Sequence, residues 1–194
     1  MIDTSGSIKS SDPGNFDLVL DFVKQTTKRF NVGKDLTHVG VVQFSSRADV
    51  EFGLDEYYTQ KGLLDAIDKT TYQGKGTNLA EGMEYARTKL FQASPYGSME
   101  IAGDRPDVGN LVIMISDGKP NRDKSDTKPE AELLKSIATV IQVGITDGVD
   151  EMLLKEIATE GKTVLISDFD KLDDELDSLL NVTCPDKELE NAGI

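Results

Sequence analysis

Leu111-Val112-Ile113-Met114-Ile115 runs without interruption into Ser116-Asp117-Gly118. An unbroken apolar run leaves no side for water, so it predicts a strand covered on both faces, as in a parallel sheet. Residues 140–145 read the same way, and so does Val39-Gly40-Val41-Val42-Gln43-Phe44. Residues 48–54 alternate instead, through Val50, Phe52 and Leu54. That predicts a half-exposed strand after a hairpin turn at Ser45-Ser46-Arg47. A short strand is predicted over 163–166.

Apolar residues at helical spacing lie between these strands. Phe16, Val19, Leu20, Val23 and Phe30 mark a first helix, with Ser11-Asp12-Pro13 supplying a cap and a proline at its start. A short helix is predicted over 61–67, and a longer one on Leu79, Met83, Ala86 and Leu90. Others are predicted over 129–137 and 150–159, and Leu172, Leu176, Leu179 and Leu180 stripe a last one. Residues 92–109 are rich in Gly, Pro, Ser and Asp and predict a long surface loop. Strands alternating with helices imply an α/β fold with a mostly parallel central sheet and helices on both faces. Ligands of such sheets bind outside the carboxyl ends of the strands.

The chain has 194 residues, a length that suits one domain, and 38% of them are apolar, enough for a core. Its formal net charge is −14. Such a surface repels nucleic acid phosphates and anionic membranes, so neither is expected as a partner, and it favours cations or basic surfaces. No apolar stretch approaches the roughly 20 residues of a membrane span. Met1 leads straight into Asp3 with no visible signal peptide, and the true start is expected upstream. Cys184 is the single cysteine. It reads as an ordinary cytosolic thiol, or, in a secreted protein, as one that lacks its partner. Asn181-Val182-Thr183 beside it is an N-glycosylation sequon.

Oxygen-bearing side chains gather in three stretches. They are Asp3-Thr4-Ser5-Gly6-Ser7, Gly74-Lys75-Gly76-Thr77-Asn78 and Ile115-Ser116-Asp117-Gly118. Each follows an apolar segment or precedes a helix, so all three reach the carboxyl edge of the sheet. Hard oxygens from three loops suit a small divalent cation such as magnesium.

These stretches, in this order, resemble the metal-ion-dependent adhesion site of von Willebrand factor type A domains. Val39-Gly40-Val41-Val42-Gln43-Phe44-Ser45 and Arg105-Pro106 add to the likeness, which covers residues 3–184. The wording is similar to that of A domains in matrilins and collagens. The resemblance implies a three-layer, Rossmann-like fold and a domain over 1–184, with 185–194 as a polar tail or linker. It implies Mg2+, or Mn2+ or Ca2+, at Asp3, Ser5, Ser7, Thr77 and Asp117. Ser5 and Ser7 would bind directly, Thr77 directly or through water, and Asp3 and Asp117 close by through water. Neutral hydroxyls leave the ion's charge partly uncompensated, so it takes up a carboxylate from a partner. The implied function is a non-enzymatic, cation-dependent adhesion module, secreted and extracellular, that binds a matrix protein such as collagen through an acidic side chain. Only Met1 and Ile2 precede Asp3, so the first central strand is expected to be truncated and the domain N-terminally incomplete. Cys184 would pair with a cysteine outside this chain, and Asn181 would carry a glycan. In some members of the family the last helix moves on ligand binding; here it spans 168–181.

Other readings stand beside this one. Asp, Ser and Gly cluster in ordinary turns, and Thr77 or Asn78 can cap a helix. Lys75 and Asn78 either meet the ligand or serve solvent and cap. His38 reads as structural, since one histidine makes no ordinary zinc site. The acidic run 168–177 reads as a solvated helix face. In function, a structural matrix or biomineral-associated component that self-assembles, with incidental metal, is the main alternative; an intracellular adaptor is another. An aspartyl phosphatase would need a second acid two residues after Asp3, where Ser5 stands. A catalytic thiol at Cys184 would need a base, and no motif supplies one.

Overall fold

The computed structural model describes residues 1–91, 103–105, 107–146 and 148–183. Six strands form one sheet: β1 (Ile2–Asp3), β2 (Val41–Phe44), β3 (Ala48–Phe52), β4 (Leu111–Ser116), β5 (Thr139–Ile145) and β6 (Thr163–Ile166). Their order is β3-β2-β1-β4-β5-β6, and every pairing is parallel except that of β2 with β3. The helices are α1 (Asn15–Thr27), α2 (Gln60–Ile67), α3 (Leu79–Tyr85), α4 (Lys124–Lys135), α5 (Glu151–Ile157) and α6 (Leu176–Thr183). Among the described residues no helix is long and apolar enough to cross a membrane. The predicted tail and Cys184 lie outside the described residues, as does most of the predicted loop over 92–109.

Strand alternation divides the core into two layers, because successive side chains leave a strand on opposite sides. Ile115 of β4 and Ile141 and Val143 of β5 pack with Phe16 and Phe22 of α1, Ile67 of α2 and Leu179 of α6. Val112 and Met114 of β4 and Val140 of β5 pack with Leu79 and Met83 of α3, Leu134 of α4 and Leu154 of α5. Fully burying one such side chain contributes about 1.5–3 kcal/mol, so both faces of the sheet are firmly covered. Gly144 of β5 is fixed by that closeness: a Cβ there would lie 2.5 Å from Leu154 Cδ1 and 3.2 Å from Leu165 Cδ2.

Several element boundaries differ from expectation. The sequence marked Pro129 as a helix start, yet α4 begins at Lys124 after Asp123, whose φ is +41°. Pro129 is the sixth residue of α4, where its ring has no N–H to give the Ser125 carbonyl, so packing of Ala131 and Leu134 against the sheet layer outweighs the loss. After Tyr85 the third helix widens into a π turn over Ala86–Leu90, and the acidic run forms two short 3-10 turns before α6. Asn78, Thr59 and Asp150 cap their helices, accepting from Glu81, Gly62 and Leu153 backbone N–H groups.

The first strand is short but central. Ile2 pairs with Gln43 on one side and Ile115 on the other, and Asp3 pairs with Phe44. The upper part of both neighbouring strands therefore has a partner. Beneath, the Met1 ammonium donates to Ile113 O at 2.6 Å, and Ile115 N donates to Met1 O. Burial lowers the pKa of that ammonium from the ordinary 8.0 to about 5. Below Met1 a cavity of about 620 Å³ opens between β2 and β4, reaching from Val23 of α1 to Leu90 beyond α3.

Candidate metal site

β1 delivers Asp3 to the carboxyl edge of the sheet, and β4 delivers Asp117 beside it. The Asp3 carboxylate is fully buried. Its Oδ1 accepts Ser5 N–H at 2.8 Å, and its Oδ2 accepts the Ser116 hydroxyl at 2.5 Å. Ser7 Oγ donates to Asp117 Oδ1 at 2.7 Å and lies 3.1 Å from Ser5 Oγ. A continuous set of oxygens thus links Asp3, Ser5, Ser7 and Asp117. Thr77 joins from the loop before α3. A Cβ built on Gly118 would lie 3.3 Å from Ser7 Oγ and 4.0 Å from Thr77 Oγ1, so both hydroxyls flank that glycine.

Backbone hydrogen bonds hold the three loops together. Thr4 N donates to Phe44 O, Gly6 N to Lys75 O and Gly74 N to Thr4 O, each at 2.8 Å. Gly74 takes φ +68°, a turn conformation that favours glycine. The hairpin serines do more than turn the chain. Ser45 Oγ accepts Lys75 N–H and donates to Gly76 O, and Ser46 Oγ accepts Gly76 N–H. Asn121 Oδ1 accepts Thr77 N–H at 3.0 Å, while Asn121 N donates back to Thr77 O. Tyr72 Oη donates to Gly6 O at 3.3 Å.

The electrostatics are those of an uncompensated pair. Burial raises the pKa of Asp3 from 3.8 to about 6, against hydrogen bonds from Ser116 and Ser5, and the nearby Asp117 adds to the rise. Burial likewise raises Asp117, opposed by the Ser7 hydroxyl. Two desolvated carboxylates side by side call for a cation. Among the described residues no three His, Cys, Asp or Glu side chains gather to hold a metal, and the other side-chain oxygens beside the pair are neutral hydroxyls. This hard, oxygen-only set fits Mg2+ or Mn2+, and the residues present suit the expected ion.

The remaining sequence-predicted residues fall as follows. Lys75 is exposed, with its backbone against Gly6. Asn78 is buried, and its amide donates to Glu81 and Asp123, so its side chain is spent on the start of α3. Asn181 is exposed on α6, and the Thr183 hydroxyl of the sequon donates to Leu179 O. Cys184 lies outside the described residues. His38 links Lys34 O and Gly103 O and rests against the Tyr58 ring, away from the site. Sequence reasoning missed the positioning roles of Ser116, Asn121, Ser45 and Tyr72. Only Ser116 carried a signal, since it sits inside a quoted motif; the others act through folded proximity.

The model of the von Willebrand factor type A domain family matches residues 1–178. The collagen alpha-5(VI) chain of Mus musculus is 30% identical over 173 residues, which are 89% of this chain and 6% of that one. Matrilin-1 of Homo sapiens is 31% identical over 160 residues, 82% of this chain and 30% of that one. Among solved structures, proximal thread matrix protein 1 from the mussel byssus superposes with a TM-score of 0.82 at 32% identity, over 94% of this chain and 44% of that one; in that structure the MIDAS motif is occupied by zinc. The chain therefore spans less than half the length of each of these proteins.

Proposed function

The chain belongs to the von Willebrand factor type A domain family, and from that premise we propose that it is an extracellular, non-enzymatic, cation-dependent protein-binding module. In this reading Ser5, Ser7 and Thr77 present hydroxyls to a divalent cation, and Asp3 and Asp117 balance its charge from the buried side. Bound there, the cation offers an open coordination position to a carboxylate of a matrix partner such as collagen. One observation carries the reading: two buried carboxylates with raised pKa values converge with two serine hydroxyls at the carboxyl edge of the sheet. The relatives, which include a collagen chain, a matrilin and a byssal matrix protein with a zinc-occupied site, support the extracellular setting and the divalent cation.

The chemistry favours binding over turnover. Ser5 stands where a phosphatase would place a second acid, and a neutral hydroxyl there leaves the ion more attractive to a carboxylate. Under the same reading Asn181 carries a glycan and Cys184 pairs with a cysteine outside this chain. Mass spectrometry of secreted protein checks both.

The test is a calorimetric titration of the full chain with Mg2+, Mn2+ and Zn2+, beside Asp117→Ala. Saturable binding lost in the variant is expected, followed by chelator-sensitive capture of an acidic matrix ligand. A folded protein that binds none of the three ions refutes the reading and leaves a self-assembling structural module.

A further inference from the structure

The stretches that build the site are richer in lysine than the rest of the molecule. The whole chain has a formal net charge of −14, from 35 acids and 21 lysines and arginines. Within two residues of Asp3, Ser5, Ser7, Thr77 and Asp117, the only acids are the two candidate ligands themselves; the same windows hold Lys9, Lys75 and Lys119. These lysines belong to three different loops that the fold brings to one edge. Lys75 and Lys119 are exposed, and among the described residues neither forms an ion pair that would neutralise it. Lys9 is held in place: its Nζ lies 4.7 Å from the centre of the Tyr72 ring and 5.7 Å from that of Phe16. Tyr72 is itself anchored to Gly6 of the first site loop. On the flank toward α3 and α4, Glu81, Asp123 and Asp126 line a groove with Arg47 and Arg122.

We propose that Lys9, Lys75 and Lys119 form a cationic rim that selects an acidic protein segment, one carrying several carboxylates in a row, over a partner with a lone acid. The inference rests on the metal-site reading above and narrows its ligand. One carboxylate meets the ion, and its neighbours meet the rim. A rim of unpaired lysines at one edge of a strongly acidic protein also steers such a segment to the site, because like charge elsewhere turns it away. Each exposed pair strengthens binding by a factor of about two to five, so together they amount to about tenfold or more.

The experiment compares two capped pentapeptides in magnesium at low salt: Gly-Gly-Glu-Gly-Gly and Glu-Gly-Glu-Gly-Glu. The triple-acid peptide should bind about tenfold more tightly, and the gap should shrink as salt is raised. In Lys75→Glu/Lys119→Glu the gap should close, with the single-acid affinity changing less and Mn2+ binding retained. Equal, metal-dependent affinity for both peptides in the native chain overturns the rim and leaves the metal reading standing. Failure of both peptides in a protein that is folded overturns both. Tighter binding of a heparin fragment that persists in chelator also overturns the proposal, since the rim would then serve a sulfated polysaccharide.

Discussion

Replacing Asp3 by asparagine should stabilise the metal-free protein while abolishing its cation binding. The carboxylate is fully buried, and its pKa rises from 3.8 unfolded to about 6 folded, chiefly through desolvation. An acid raised in this way adds stability that is complete below pH 3.8 and is lost as pH climbs through about 6. At about 1.4 kcal/mol per factor of ten in the acid constant, ionised Asp3 costs the fold about 3 kcal/mol at pH 7. Asparagine has the same shape and carries no charge. Its Oδ1 keeps the Ser5 N–H, and its amide donates to Ser116 Oγ in place of the bond Ser116 now gives. In chelator at pH 7, urea unfolding should therefore show Asp3→Asn more stable by about 2–3 kcal/mol. In a chain of this length that raises Tm by about 4–12 °C. The variant should also lose most of the native decline in stability between pH 4 and pH 7. Saturating magnesium should narrow the gap, because only the native chain gains from binding. A variant no more stable than the native chain in chelator, or one with the same pH slope, refutes the reasoning.

Gly76→Ala would set a Cβ 2.8 Å from Asn121 Oδ1 and 3.0 Å from Arg122 Nε, displacing the loop that carries Thr77. It should cost about 1–3 kcal/mol and weaken manganese binding measured by calorimetry. Gly144→Ala drives a Cβ into Leu154 of α5. It should cost a similar 1–3 kcal/mol by the same unfolding assay and leave manganese affinity unchanged.

Periodicity made much of the fold legible. Phe16, Val19 and Leu20 lie on the buried side of α1 as their spacing predicts, and the unbroken run at 111–115 is β4, covered on both faces. Pro129 misled because a proline near a helix start resembles one at the start itself, and nothing in the residues before it is apolar enough to mark the extra turn. Asp3, Ser5 and Ser7 of the candidate site were visible as a local motif, since they are neighbours in the chain. Their supports were not. Ser116 meets Asp3 across 113 positions, and Asn121 meets Thr77 across 44, contacts that exist only once β1 and β4 lie side by side. The Asn78 amide was read as a possible ligand contact, because sequence does not reveal that Glu81 and Asp123 consume it.

The candidate site straddles a line down the middle of the sheet, where β1 lies between β2 and β4. Thr77 follows the elements on one side of that line, Asp117 ends a strand on the other, and Ser5 and Ser7 ride on the strip between. A cation held by all of them would act as a rivet, and the resistance of the domain to being pulled apart there would rise and fall with the supply of divalent ions around it.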